Sequence, residues 1–189
     1  MRPPLPTPSP TEPAYGCVFC LSGKEMLVAQ HLESHAPGLR ALAVRQTKRR
    51  TTRGVTRLVD EVIFRGYVFF RTQGELPPPG ALPPDCAIAL LTDSDGDWRL
   101  HGQDAHFAHW LFSIDGLIGL SRAHQEGDRI RVVQGPLKAL EGSIVRVDRR
   151  NRSGQVALSF GGRQIRVWLG FDIVEKLTAD GAKHAFPTP

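Results

Sequence analysis

An α+β chain that ends in a small β-barrel is what this sequence predicts, on three observations. Residues 127–176 break into short strands of alternating apolar residues, separated by Gly-, Pro- and Arg-rich turns at the spacing of a closed or nearly closed barrel. Residues 15–112 mix short apolar strands with helical stretches in the order β-α-β-β-(α)-β. Charge divides the chain as well. Arg40 to Arg71 holds nine Lys/Arg against two acidic residues, Asp85 to Asp104 holds five acids against Arg99, and Glu126 to Leu177 holds ten Lys/Arg against six acids.

The 189 residues suffice for one large domain or two small ones, and the 15 prolines point to ordered domains with loose ends. The expected boundaries are a disordered Pro-rich lead at 1–13, a first domain at 14–112, a linker at 113–125, the barrel at 126–177 and a flexible tail at 178–189. No apolar run approaches the roughly 18 residues of a membrane span. The N-terminus lacks a signal-peptide core, and Cys17, Cys20 and Cys86 cannot all pair with one another, so a reduced, cytoplasmic setting is expected. The net charge of +5 permits nucleic-acid contact.

Tyr15 to Cys20 reads as an apolar strand. Ser22 with Glu25 three residues later has the form of a capping box, and the helix it starts runs to about His35, where Pro37-Gly38 stops it. Leu39 to Arg45 is a strand candidate. Gln46 to Thr56 is a basic hairpin tip. Arg57 to Arg71 returns as one strand, apolar on both faces beyond Gly66, which fits a strand covered twice or one that offers a face to a partner. Leu76 to Pro84 is a turn and Ala87 to Leu91 a strand or helix end. Gly102 to Phe112 is an amphipathic helix carrying Phe107, Trp110 and Leu111. In the barrel, strands are expected at Arg129 to Val133, at Ser143 to Asp148, around Val156, Leu158 and Phe160, and around Ile165, Val167 and Leu169. Gln134-Gly135-Pro136 is a turn, and Arg149 to Gly154 a basic tip.

Two patterns imitate chemistry. Cys17-x2-Cys20 with His31-x3-His35 resembles a zinc site, but cysteines three apart on a strand face opposite sides. Asp93, Asp95 and Asp97 resemble the start of a calcium loop, yet the twelfth position is Asp104 where a glutamate is needed. His101, His106 and His109 lack a partnering nucleophile, and no phosphate-binding glycine loop is present. Neither catalysis nor a metal or other cofactor is expected.

The run Gly127-Asp128-Arg129-Ile130-Arg131-Val132-Val133-Gln134-Gly135-Pro136-Leu137, followed by Gly142-Ser143-Ile144-Val145, resembles a KOW motif, the SH3-like barrel of NusG-type transcription factors and some ribosomal proteins. The first domain, in its order β-α-β-β-(α)-β, resembles the NGN domain of the same family, which implies an α/β sandwich with an antiparallel sheet. Ser22-Gly23-Lys24-Glu25 matches its strand-to-helix turn, and Val62-Ile63-Phe64-Arg65-Gly66-Tyr67-Val68-Phe69 its F-P-G-Y-V strand. Tyr15 stands where the family usually has Trp, Arg65 where it has proline, and Gly16 where it has an aromatic. Within the family, Gly119-Leu120-Ser121, Gly135-Pro136-Leu137-Lys138, Val147-Asp148-Arg149-Arg150-Asn151-Arg152 and Leu169-Gly170-Phe171-Asp172-Ile173-Val174 are most similar to the specialised LoaP paralogues.

The resemblance implies a transcription elongation and processive antitermination factor, acting as a monomer. Its NGN domain would bind RNA polymerase through Phe64 and Tyr67, with Phe19 and Phe69 as additions. LoaP-like proteins recognise a hairpin in nascent RNA, and the barrel supplies cations for one. With Val145 and Val147 facing inward, Arg146 faces outward, and the same parity exposes Arg166 and Trp168. Lys138, Arg149, Arg150, Arg152 and Arg163 add to them, and guanidinium groups suit phosphates. Lys48, Arg49, Arg50 and Arg53 form a further basic arm for DNA contact, or a solvated hairpin end. Other readings are a general NusG factor whose barrel contacts Rho or the ribosome, and a ribosome-associated KOW protein.

Overall fold

The computed structural model of the chain describes residues 12–73, 75–126, 129–140, 143–160 and 163–177. The expected flexible tail, all but the end of the Pro-rich lead, and Gly127, Asp128 and Gly142 of the barrel motif lie outside them. In chain order the elements are β1 (Ala14–Cys20), α1 (Glu25–His35), β2 (Arg40–Leu42), β3 (Arg45–Thr52), β4 (Val55–Val62), β5 (Tyr67–Thr72), a 3-10 turn (Pro79–Ala81), β6 (Ala87–Leu90), α2 (Gly102–Ser113), β7 (Leu117–Ile118), β8 (Ser121–Glu126), β9 (Arg129–Gln134), α3 (Pro136–Ala139), β10 (Ile144–Asp148), β11 (Ser153–Phe160) and β12 (Arg163–Leu177). They fall into two compact units, one holding residues up to Arg45 together with Val62–Leu117, the other holding Gln46–Glu61 and the chain from Ile118. No helix among the described residues is long and apolar enough to cross a membrane.

The first unit is an antiparallel sheet in the order β2-β5-β1-β6. Alternation on β1 and β5 sends Val18, Cys20, Val68 and Phe70 to one face, where they pack with Val28, Ala29 and Leu32 of α1. Phe70 is fully buried, a contribution of about 1.5–3 kcal/mol. Its ring lies over Gly16, where any Cβ would come within 2.2 Å of it, and stacks on Trp98 at 5.5 Å. That ring occupies the space a side chain at Gly16 would need.

The helix start differs from the capping box. Lys24 holds the cap position with no side-chain cap bond. The Glu25 carboxylate instead accepts the Gly23 N–H at 2.9 Å and, across the unit, the Gly66 N–H at 2.8 Å. Gly66 also breaks the single strand expected from Arg57 to Arg71 into β4 and β5. Its φ of +83° suits only glycine, and a Cβ there would sit 3.1 Å from the Phe19 ring.

The second unit contains a five-stranded sheet, β10-β11-β12-β8-β9. Part of the expected linker is strand: β8 runs parallel to β12, with Ser121 opposite Phe171, because Ser121 and Ala123 alternate into the core. The Gly-Pro turn locks against it. Gly135 has φ of +96° with Ser121 Cα 2.8 Å from where a Cβ would lie, and Leu137 N–H donates to Ser121 Oγ at 2.9 Å. Residues 46–61 form the β3–β4 hairpin.

Candidate functional site

In the first unit the sheet face opposite α1 carries Tyr15, Cys17 and Phe19 of β1 beside Arg71, Phe69 and Tyr67 of β5. The helix α2 covers one end of it. The Tyr15 hydroxyl meets His109 Nδ1 at 2.8 Å, the rings of Tyr15 and Phe112 lie 5.6 Å apart, and Arg71 stands over Phe112 at 5.5 Å. Phe107 makes edge-to-face contacts with Phe64 at 5.7 Å and Phe69 at 6.0 Å. The other end stays half-open, with the rings of Phe19 and Tyr67 5.4 Å apart.

This divides the four aromatic residues expected at a polymerase surface. Phe64, 2% exposed, and Phe69, fully buried, are core, because α2 lies over them. As surface anchors they are corrected: they support the ledge that Phe19 and Tyr67 form. Phe107 and Trp110, stacked at 5.8 Å and half-buried, are aromatic residues that this face adds. Their i, i+3 spacing on an amphipathic helix was legible in the sequence. The place of Phe107 beside Phe64 and Phe69 was not.

The turn leading into the ledge is held by Glu25. Burial opposes ionisation of that carboxyl, but the N–H groups of Gly66, of Glu25 itself and of Gly23, together with Arg65, outweigh it and hold the group below the usual carboxylate range. Deleting the acceptor would leave the Gly66 N–H unmet at a cost of about 1–3 kcal/mol.

In the second unit the loop after β10 is a constrained turn. Asp148 Oδ1 accepts the Asn151 N–H at 2.9 Å and Oδ2 its side-chain amide at 2.8 Å, which lowers the Asp148 pKa. Arg152 takes φ of +49°, and its carbonyl accepts the Phe171 N–H at 2.9 Å, which ties the loop to β12. Arg149, Arg150 and Arg152 are all exposed on this turn, as are Arg146 on β10 and Lys138 on α3. On β12, Val167 and Leu169 point inward, Arg166 is exposed and Trp168 is half-buried opposite Gln155. Arg163 opens the same strand, and its side chain lies outside what the structure describes.

The parity expected on β10 is corrected. Val145 and Val147 are exposed, because the register with β11 shifts between Ile144 and Arg146. Arg146 is exposed together with its valine neighbours.

The β3–β4 hairpin treats its cations differently. Arg49 makes a bidentate pair with Asp172 of β12 at 2.7 and 2.8 Å. Glu61 pairs with Lys48, lies 3.6 Å from Arg50 and accepts the Gln46 amide at 3.1 Å. Burial raises the Glu61 pKa, but Lys48, Gln46 and Arg50 together bring it below the ordinary value. The Arg49 bond is the main cause of the lowered Asp172 pKa. Of the basic arm, only Arg53 stands at the exposed turn, with φ of +51°.

The residues of the two chemical imitations make contacts of their own. Cys17 and Cys20 alternate across β1, and His31 and His35 stack at 3.9 Å on α1. Among the described residues no three His, Cys, Asp or Glu groups could hold a metal ion. Asp93 Oδ1 accepts the N–H groups of Asp95 and Asp97, each at 2.9 Å, which closes the acidic loop on itself.

Fold and site together define a two-unit α+β chain with an aromatic ledge on one unit and a cationic turn on the other. No protein-family description and no curated protein matches this chain. It is similar to the solved structure "Domain interaction in Thermotoga maritima NusG" at 17% sequence identity, over 86% of this chain and 96% of that chain, with a TM-score of 0.46.

Proposed function

We propose that the chain is a transcription elongation and antitermination factor of the NusG type, with a LoaP-like specialisation, whose residues 14–112 bind RNA polymerase and whose barrel, residues 126–177, binds a hairpin in nascent RNA. The observation that supports the RNA half is the turn 148–153, which Asp148 and Asn151 shape and on which Arg149, Arg150 and Arg152 are solvent-exposed. Gathering like charges on a fixed loop suits an anionic partner that offers phosphates at matching spacing. An A-form stem is read by its backbone and shape, which a rigid cationic turn beside Trp168 can follow.

The polymerase half rests on the sequence resemblance and on the Phe19–Tyr67 ledge, an apolar surface of the kind that receives a helix. Two weak attachments on one chain reinforce each other through effective concentration. The test is co-purification with RNA polymerase. Tyr67→Ser with Phe19→Ser should abolish it while the thermal midpoint stays near that of the parent. Unchanged co-purification would remove this surface from the reading, and co-migration with ribosomes alone would replace it with a ribosome-associated role.

A further inference from the structure

The five-stranded sheet leaves β9 and β10 at its two ends. A strand at a sheet end directs N–H and C=O groups away from its one neighbour, and these are a template for an added strand. The side chains of β10 do not discourage such pairing. Val145 is 56% exposed and Val147 43% exposed. Behind them lies a cavity of about 200 Å³ to which both end strands contribute, lined by Ile130, Val132, Leu137, Ile144, Val147 and Phe171. For scale, an apolar cavity of about 150 Å³ accepts benzene.

Along β10 and the turn after it, the described cations outnumber the one acid, Asp148. Arg146 lies between the two exposed valines, and Arg149 and Arg150 continue the chain beyond β10. Asp148, the acid among them, accepts two hydrogen bonds from Asn151 and also feels the Arg146 charge. A phosphate backbone gains nothing from an aliphatic hollow, whereas an extended peptide can use edge, hollow and arginines together. We infer that the β9/β10 seam is a docking site for an extended acidic segment of a partner protein, which adds a strand to β10, places one aliphatic side chain in the cavity and sets a carboxylate against Arg146. This goes beyond the RNA reading, which needs the turn 148–153 and not the hollow.

The probe is a fluorescein-labelled ten-residue peptide of alternating Glu and Val, titrated into the full chain by anisotropy. Saturable binding is expected. It should weaken at least roughly ten-fold when Lys replaces Glu in the peptide, from lost charge complementarity, and comparably with Val147→Asp, whose thermal midpoint is measured alongside to show that the variant folds. N-methylation of alternate peptide amides should weaken it as well, because the edge bonds are lost. Absence of saturable binding, equal binding of the Lys peptide, or full affinity in Val147→Asp would each overturn the proposal. If Val147→Asp instead abolishes hairpin-RNA binding and no peptide binds, the seam belongs to RNA. Loss of RNA binding in Arg149→Ala/Arg150→Ala tests the RNA reading separately.

Discussion

Two basic segments of the second unit look alike as sequence and differ as structure. Lys48-Arg49-Arg50-Thr51-Thr52-Arg53 and Arg149-Arg150-Asn151-Arg152 are both short, cationic and set at a hairpin end. In the first, Glu61 and Asp172 take up Lys48, Arg49 and Arg50. In the second, Asp148 bonds Asn151 and Asp172 acts on Arg152 only at a distance, while Arg150 stays exposed on a turn tied to Phe171. Formal charge is therefore a poor guide to charge that a ligand can use. A cation paired inside the protein must exchange one anion for another, and that exchange returns little free energy.

The largest expected effect lies in the turn. Arg149→Ala with Arg150→Ala should weaken hairpin-RNA binding by roughly ten-fold or more and lower the slope of log affinity against log salt by about 2, one for each phosphate contact. Lys48→Ala with Arg50→Ala should change both little. Equal losses from the two pairs, measured by salt-dependent anisotropy, would erase the distinction between the segments.

An intermediate effect should come from releasing the hairpin. Glu61→Gln frees Lys48 and Arg50, and the expected gain in nucleic-acid affinity is no more than about five-fold, since exposed pairs hold about 0.2–1 kcal/mol. Acid reaches the same release by another route. Glu61 and Asp172 both titrate below their ordinary values, so their pairing contributes above about pH 4 and is lost as pH falls through the depressed values. An NMR titration of the two carboxyl carbons reads this directly, and midpoints at or above the ordinary values would show that the pairs do not form.

The smallest effect is expected from Asp148→Ala. It removes the anchor of the turn without removing any cation, so RNA affinity should fall by less than in the double arginine variant, with the salt slope unchanged. A change in slope would mean that Asp148 acts through charge and not through shape.

Much of the fold was legible in the residues. A short apolar run marked β1, alternation marked β11 and the first part of β12, and a helical stretch with Pro37-Gly38 beyond it marked α1. Gly135-Pro136 announced a turn that the φ of Gly135 and the contact with Ser121 explain. What went unread was set by contacts between residues far apart. Glu25 looked like half of a capping box, yet it bonds Gly66, 41 residues on. Residues 121–125 looked like linker, because pairing with β9 and with the distant parallel β12 makes them a strand. Val145 and Val147 obeyed a strict alternation on paper, and one register shift against β11 undid it.

The aromatic residues show where the division falls. Sequence alone determined that residues 64–70 are too apolar to lie in solvent and that the barrel carries surplus arginine, because composition and period are local properties. Tertiary structure decided that Phe64 and Phe69 lie beneath α2 while Phe19 and Tyr67 remain half-open, and that Arg49 is paired while Arg150 is exposed. Burial and ion pairing depend on which distant surface arrives at a residue, and no local pattern encodes that arrival.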